Sequence, residues 1–134
     1  MKNFLLLLIL LSVLSVKAQV NGYAKVTLVA GPALTISVSD ETYDQFDAGD
    51  KVLVMQMQDD VIGSNTSNNS NFGNLSSIAN AGKYEVATVL AGVRTGILPT
   101  LVTVTAPLTN SYNTGSNASV QIITYPTLGT GGFS

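Results

Sequence analysis

The chain has 134 residues, 46% hydrophobic and only 10% charged, with 6 lysines and arginines against 8 aspartates and glutamates and neither histidine nor cysteine. The missing imidazoles and thiols exclude cysteine nucleophiles, histidine-based triads and the common zinc and copper sites, and they exclude disulfide staples as well. A net charge of −2 repels a phosphate backbone and argues against nucleic-acid binding.

At the N-terminus, Lys2 precedes an apolar run from Phe4 to Val16, the pattern of a secretory signal peptide. The run is too short for a spanning helix, which needs roughly 20 apolar residues, and Ser12, Ser15 and Lys17 interrupt or end it. Val16 and Ala18 suit a signal-peptidase pocket, so residues 1–18 are expected to leave and the mature chain to start at Gln19 without a transmembrane span. An uncleaved anchor is the competing reading. Cleavage would leave four bases (Lys25, Lys51, Lys83, Arg94) against eight acids. The expected organisation is one domain over 19–126 and a Gly-rich linker over 127–134, which reads as cut short before further domains.

Short β-branched and aromatic runs bounded by Gly, Asn, Asp and Pro predict strands at Gly22 to Ala30, Ala33 to Val38, Lys51 to Gln58, Lys83 to Ala91, Leu101 to Ala106 and Ser119 to Tyr125. Gly31-Pro32 suits a tight hairpin turn. Within the fourth strand, Tyr84, Val86, Thr88 and Leu90 read as the apolar face. A single helical turn is predicted over Leu75 to Ala81, with Asn74 as N-cap and Gly82 as stop.

The two halves align at an offset of about 61 residues, Tyr23-Val26-Gly31 with Tyr84-Ala87-Gly92. Leu34 to Ser37 parallels Val102 to Thr105, and Tyr43 and Val52 parallel Tyr112 and Val120. Two copies of a three-strand unit predict an all-β fold, a small six-stranded barrel or curled sandwich with pseudo-two-fold symmetry. The expected core is Tyr23, Val26, Leu28, Leu34, Ile36, Val52, Val54, Tyr84, Val86, Val102, Val104, Val120, Ile122 and Tyr125, with Met55 and Met57 as packing residues.

Chemistry is sparse. A carboxylate pair could serve glycoside hydrolysis, but the acids cluster in turns, and Glu85, the one carboxylate within a strand, reads as a solvated residue. The expectation is therefore a non-enzymatic protein. Asp47, Asp50, Asp59 and Asp60 offer oxygens to a hard cation such as calcium. Turn-forming acidic loops are the alternative, favoured because the spacing departs from a calcium-loop motif. The Gly63 to Asn74 stretch is rich in amides and hydroxyls, and Asn65, Asn68, Asn69 and Phe72 are the candidate ligand-contacting residues for a glycan or protein partner. Asn65, Asn68, Asn74 and Asn117 also stand in glycosylation sequons.

The segments from Val52 to Val89 and from Ala106 to Gly129, with their Met-Gln-Met-Gln-Asp-Asp run and Tyr-Pro-Thr-Leu-Gly ending, resemble the N-terminal module of long exported surface proteins of Bacteroidetes, of the gliding-motility-associated or type IX secretion-sorted kind. The resemblance implies a secreted or outer-surface location reached through the periplasm, and a structural or adhesive role. It carries over no catalytic residue, and a bacterial source would deprive the sequons of meaning. A carbohydrate-binding module is the second reading. It would require an exposed aromatic platform, for which Tyr43, Phe46, Phe72 and Tyr112 are the candidates.

Overall fold

Alternating β-branched and polar residues build six strands, β1 (Tyr23–Ala30), β2 (Ala33–Asp40), β3 (Lys51–Gln58), β4 (Tyr84–Thr95), β5 (Leu98–Val104) and β6 (Ser119–Tyr125). The computed structural model describes residues 21–63, 68, 70 and 77–125, so the expected signal peptide and C-terminal linker lie outside the described residues. Every pairing is antiparallel, and the order β1-β2-β5-β4-β3-β6 closes with β6 against β1. The fold is thus the all-β closed barrel expected, and closure removes every sheet edge.

Two local expectations are corrected. The β4–β5 hairpin turns at Gly96, in left-handed backbone (φ 65), so β4 runs on to Thr95 and Gly92 lies within the strand. The short helix, α1, is at Asp60–Gly63. Within the segment expected to be helical, residues 77–81 are turn or irregular, since Ala79 adopts a φ of 50 that no right-handed helix tolerates. Residues 75 and 76 lie outside the described set.

The internal repeat is visible in the pairing. Exchanging β1, β2 and β3 for β4, β5 and β6 leaves the neighbour list unchanged. The aligned residues Leu34 and Val102 face each other across β2 and β5, and Val54 faces Ile122 across β3 and β6, so a pseudo-two-fold axis passes through both pairs. Backbone hydrogen bonds obey it too: Gln56 N donates to the Lys83 carbonyl at 2.9 Å and Thr124 N to that of Gly22 at 2.8 Å. Register irregularities after Val89 and Val93 lengthen β4, so Gly31 corresponds to Gly96 and not, as the sequence alignment has it, to Gly92.

Inside lie Ala24, Val26, Leu34, Ile36, Phe46, Val52, Val54, Val89, Val102, Val104, Val120 and Ile122. Tyr23, Leu28, Tyr84, Val86 and Tyr125, expected in the core, are exposed. The inward face of β4 is instead Glu85, Ala87 and Val89. On β3 the inward residues are Val52, Val54 and Gln56, which leaves Leu53, Met55 and Met57 on the outer face, with Met57 exposed. The error has one cause: where both faces of a strand carry apolar residues, alternation does not say which face is inside, and a one-residue shift inverts the assignment.

Candidate functional site

Antiparallel directions carry the β2–β3 connection, residues 41–50, across one end of the barrel and the β5–β6 connection, residues 105–118, across the other. At the second end, the fully buried Gln56 pairs with the backbone of Asn113 as an adjacent strand would: its Oε1 accepts from Asn113 N at 2.7 Å and its Nε2 donates to the Asn113 carbonyl at 2.8 Å. The same Nε2 donates to the carbonyl of Gln58 at 2.6 Å, and Gln58 Nε2 donates to that of Asn117 at 2.7 Å. Asn113 Nδ2 bridges Asp59 Oδ1 and Asp60 Oδ2 at 2.6 and 2.7 Å, while Asn80 N donates to Asp59 Oδ2 at 2.8 Å. These bonds, from Asn113 first, hold the Asp59 carboxyl below its ordinary range.

Glu85 belongs to the same assembly and is not the solvated residue expected. Its Oε2 accepts from Thr109 N and Oγ1 at 2.9 and 2.8 Å, and its Oε1 accepts from Asn110 N at 3.0 Å. Burial raises this carboxyl, but the bonds from Thr109 and Asn110 outweigh burial and leave it lowered. Tyr112 packs against the core and donates its hydroxyl to the Val54 carbonyl at 3.2 Å; burial pushes its phenol up to about 12. The Met-Gln-Met-Gln-Asp-Asp run is therefore the anchor of the 105–118 loop. Parity could have revealed Gln56, since Val52-Val54-Gln56 is a two-residue repeat whose third member is polar.

The first end is closed differently. Phe46, 1% exposed, fills it, its amide donates to Glu41 Oε1 at 3.0 Å, and Arg94 forks onto both Glu41 oxygens. Beside this pair, Ser39, Asp40, Glu41, Thr42 and Gln45 face Ile97 and Leu98 across an open cleft of about 270 Å³. Asp40 Oδ1 accepts from Thr42 Oγ1 at 2.7 Å and Thr42 N at 3.0 Å, and these bonds lower its carboxyl.

The candidate cation ligands fall at opposite ends, Asp47 and Asp50 on the 41–50 loop, Asp59 and Asp60 beside Asn113. Asp50 Oδ2 accepts from Asp47 N at 3.1 Å and Asp50 N donates to the Asp47 carbonyl at 3.1 Å, the bonds of a turn. Among the described residues, no three acids gather in a set that could hold a metal ion. Of the polar-loop candidates, Asn68 is exposed, while Asn65, Asn69 and Phe72 lie outside the described residues. Of the aromatic candidates, Phe46 is core, Tyr112 is partly buried, and Tyr43 is exposed.

The exposed aromatic surface lies elsewhere. Register places Tyr23, Ile123, Leu53 and Val86 in one outward row across β1, β6, β3 and β4, flanked by Tyr84 beside Met55 and by Tyr125 beside Lys51. Tyr84 and Tyr125 are 63% and 60% exposed.

Fold and sites together define a closed six-stranded antiparallel barrel whose ends are capped by its own loops and whose outer face carries tyrosines. Comparison with protein-family models, with characterised proteins and with solved structures returns no match. Among the described residues, no helix is long and apolar enough to cross a membrane.

Proposed function

We propose that this barrel is a non-enzymatic interaction module of an exported bacterial surface protein, with a structural or adhesive role. The observation that carries the reading is the outward row of Tyr23, Ile123, Leu53 and Val86 with its flanking Tyr84 and Tyr125. Support also comes from the resemblance over Val52 to Val89 and Ala106 to Gly129, from the export signal, and from the use of Gln56, Asp59, Glu85 and Glu41 as loop anchors. A secreted or outer-surface location and further domains after Ser134 belong to the same proposal.

Carbohydrate binding is the second reading, favoured by the exposed Tyr84 and Tyr125 rings, because sugar faces stack on aromatic rings. A glycan array probed with the purified chain separates the two. A glycan bound by the chain and lost on Tyr84→Ala or Tyr125→Ala establishes the second reading. Under the first, no glycan binds, but beads coated with the chain adhere to cell-surface material and beads coated with the triple variant Tyr23→Ser, Tyr84→Ser, Tyr125→Ser do not. Equal adhesion by both sets of beads would overturn the first.

A further inference from the structure

The cleft beside the 41–50 loop adjoins the tyrosine row, since Tyr23 pairs with Asp40 across β1 and β2, and three observations define what it can hold. Its volume of about 270 Å³ lies just under the roughly 300–1,000 Å³ of sites for drug-sized ligands, room enough for one long side chain. Its two walls differ: Ser39, Asp40, Thr42 and Gln45 are polar, whereas Ile97 and Leu98 are aliphatic, and no aromatic ring lines it for a sugar to stack on. Ile97 is 88% exposed at the hairpin tip, so its apolar surface is uncovered in the isolated barrel.

Charge selects among occupants. Of the two carboxylates lining the cleft, Glu41 is committed to Arg94 and to the Phe46 amide. Among the described residues, the donors to Asp40 are the neutral Thr42 N and Oγ1, both on Oδ1. The nearby segment adds Asp44, Asp47 and Asp50, so these acids outnumber the neighbouring base Lys25, which faces Val38 from β1. An anion would be repelled. A group with an aliphatic stem and a cationic head would satisfy both walls, which is how lysine and arginine bury their methylenes while keeping the charge at a polar site.

We propose that this cleft receives the side chain of a lysine or arginine presented by a partner polypeptide, its stem against Ile97 and Leu98 and its head at the Asp40 carboxylate. The two residues define complementary variants. Asp40→Asn keeps an Oδ1 acceptor for Thr42 and removes the charge; Ile97→Ser removes the apolar wall at an exposed turn that contributes nothing to the core.

An amide chemical-shift titration of the full chain with a capped Gly-Lys-Gly peptide tests this, alongside the norleucine peptide (same stem, no charge) and the Gly-Glu-Gly peptide. Saturable shifts are expected at Ser39 to Gln45 and at Ile97 and Leu98 with the lysine peptide alone. Affinity should fall roughly tenfold in Asp40→Asn, about 1.4 kcal/mol, and severalfold in Ile97→Ser. Added salt should weaken binding to the parent chain, because the head-group interaction is screened. Non-saturating shifts spread over Asp47, Asp50 and Asp60, equal binding of the glutamate peptide, or unchanged affinity in both variants would overturn the proposal. Should Asp40→Asn lose its dispersed spectrum, the Ile97→Ser and norleucine arms decide alone.

Discussion

The two ends of the barrel are related by the pseudo-two-fold axis, yet a different residue type closes each. At one end the crossing loop inserts a phenyl ring, Phe46, and a bidentate ion pair between Glu41 and Arg94 fixes its start. At the other, the crossing loop only half-buries Leu108 and Tyr112 against the core, and the barrel extends a side chain to it, Gln56, whose amide satisfies the Asn113 backbone. At the symmetry-related position of β6, Thr124 accepts from Gly22 N at 2.7 Å through Oγ1 and is likewise buried. The topology demands that each end be covered; it leaves free whether dispersion or hydrogen bonding does so. An apolar plug tolerates sliding, whereas a directed amide pair fixes register.

The comparison breaks first at Phe46. Phe46→Ala is expected to cost about 3–5 kcal/mol, the range for a large buried ring, measurable by urea unfolding. A loss under about 1 kcal/mol would mean that the ring does not hold that end. Next, Gln56→Leu keeps volume but strands the Asn113 N–H, at a cost of about 2–3 kcal/mol. Its signature is fast hydrogen exchange confined to residues 105–118, with the 41–50 end unchanged.

Thr124→Val, the counterpart substitution, removes one acceptor from Gly22 N and is expected to cost about 1–2 kcal/mol by the same assay. Arg94→Met leaves Glu41, whose side chain is 7% exposed, with the Phe46 amide alone. Because Arg94 is itself a quarter exposed, solvent screening limits the loss to about 1 kcal/mol, and salt should reduce it further.

Acid and alkaline limbs sharpen the contrast last. Asp59 and Glu85 have lowered folded-state pKa values, so their contribution is complete above the ordinary values of 3.8 and 4.5 and is lost as pH falls through the folded values beneath these. Unfolding midpoints followed below pH 4.5 should drop more steeply for the parent than for Glu85→Gln. Tyr112 has the opposite sense. Its folded pKa of about 12 stands above the ordinary 10.0, so the stability it contributes is present below 10.0 and is lost as pH rises towards 12. Tyr112→Phe should remove the last phenolate to appear in an alkaline absorbance titration.

Strand positions were legible because β-branched runs and turn residues are local signals: β3 and β6 fall where the pattern places them, and the repeat foretold six strands in a barrel or curled sandwich, of which the structure is the barrel. Which face turns inward was not legible. Tyr84 and Val86 looked apolar enough to be core beside Glu85, yet β4 buries the side that carries Glu85, because Thr109 and Asn110 neutralise its cost with three hydrogen bonds. Those donors lie more than 20 residues away in sequence, and no window along the chain contains both partners. The same holds for Phe46, which reads as a lone aromatic in an acidic loop and becomes the plug only once β2 and β3 are held apart by β1 and β6.

By itself the sequence determined what chemistry is absent, that the fold would be strands, and that two half-length units would form it, since these follow from residue type and from periodicity. Tertiary structure alone decided the inward face, the two modes of end closure, the tyrosine-bearing outer surface and the cleft between Asp40 and Ile97. Each depends on residues distant in sequence being brought within a few ångströms, and burial, hydrogen bonding and charge act over that distance whatever the separation along the chain.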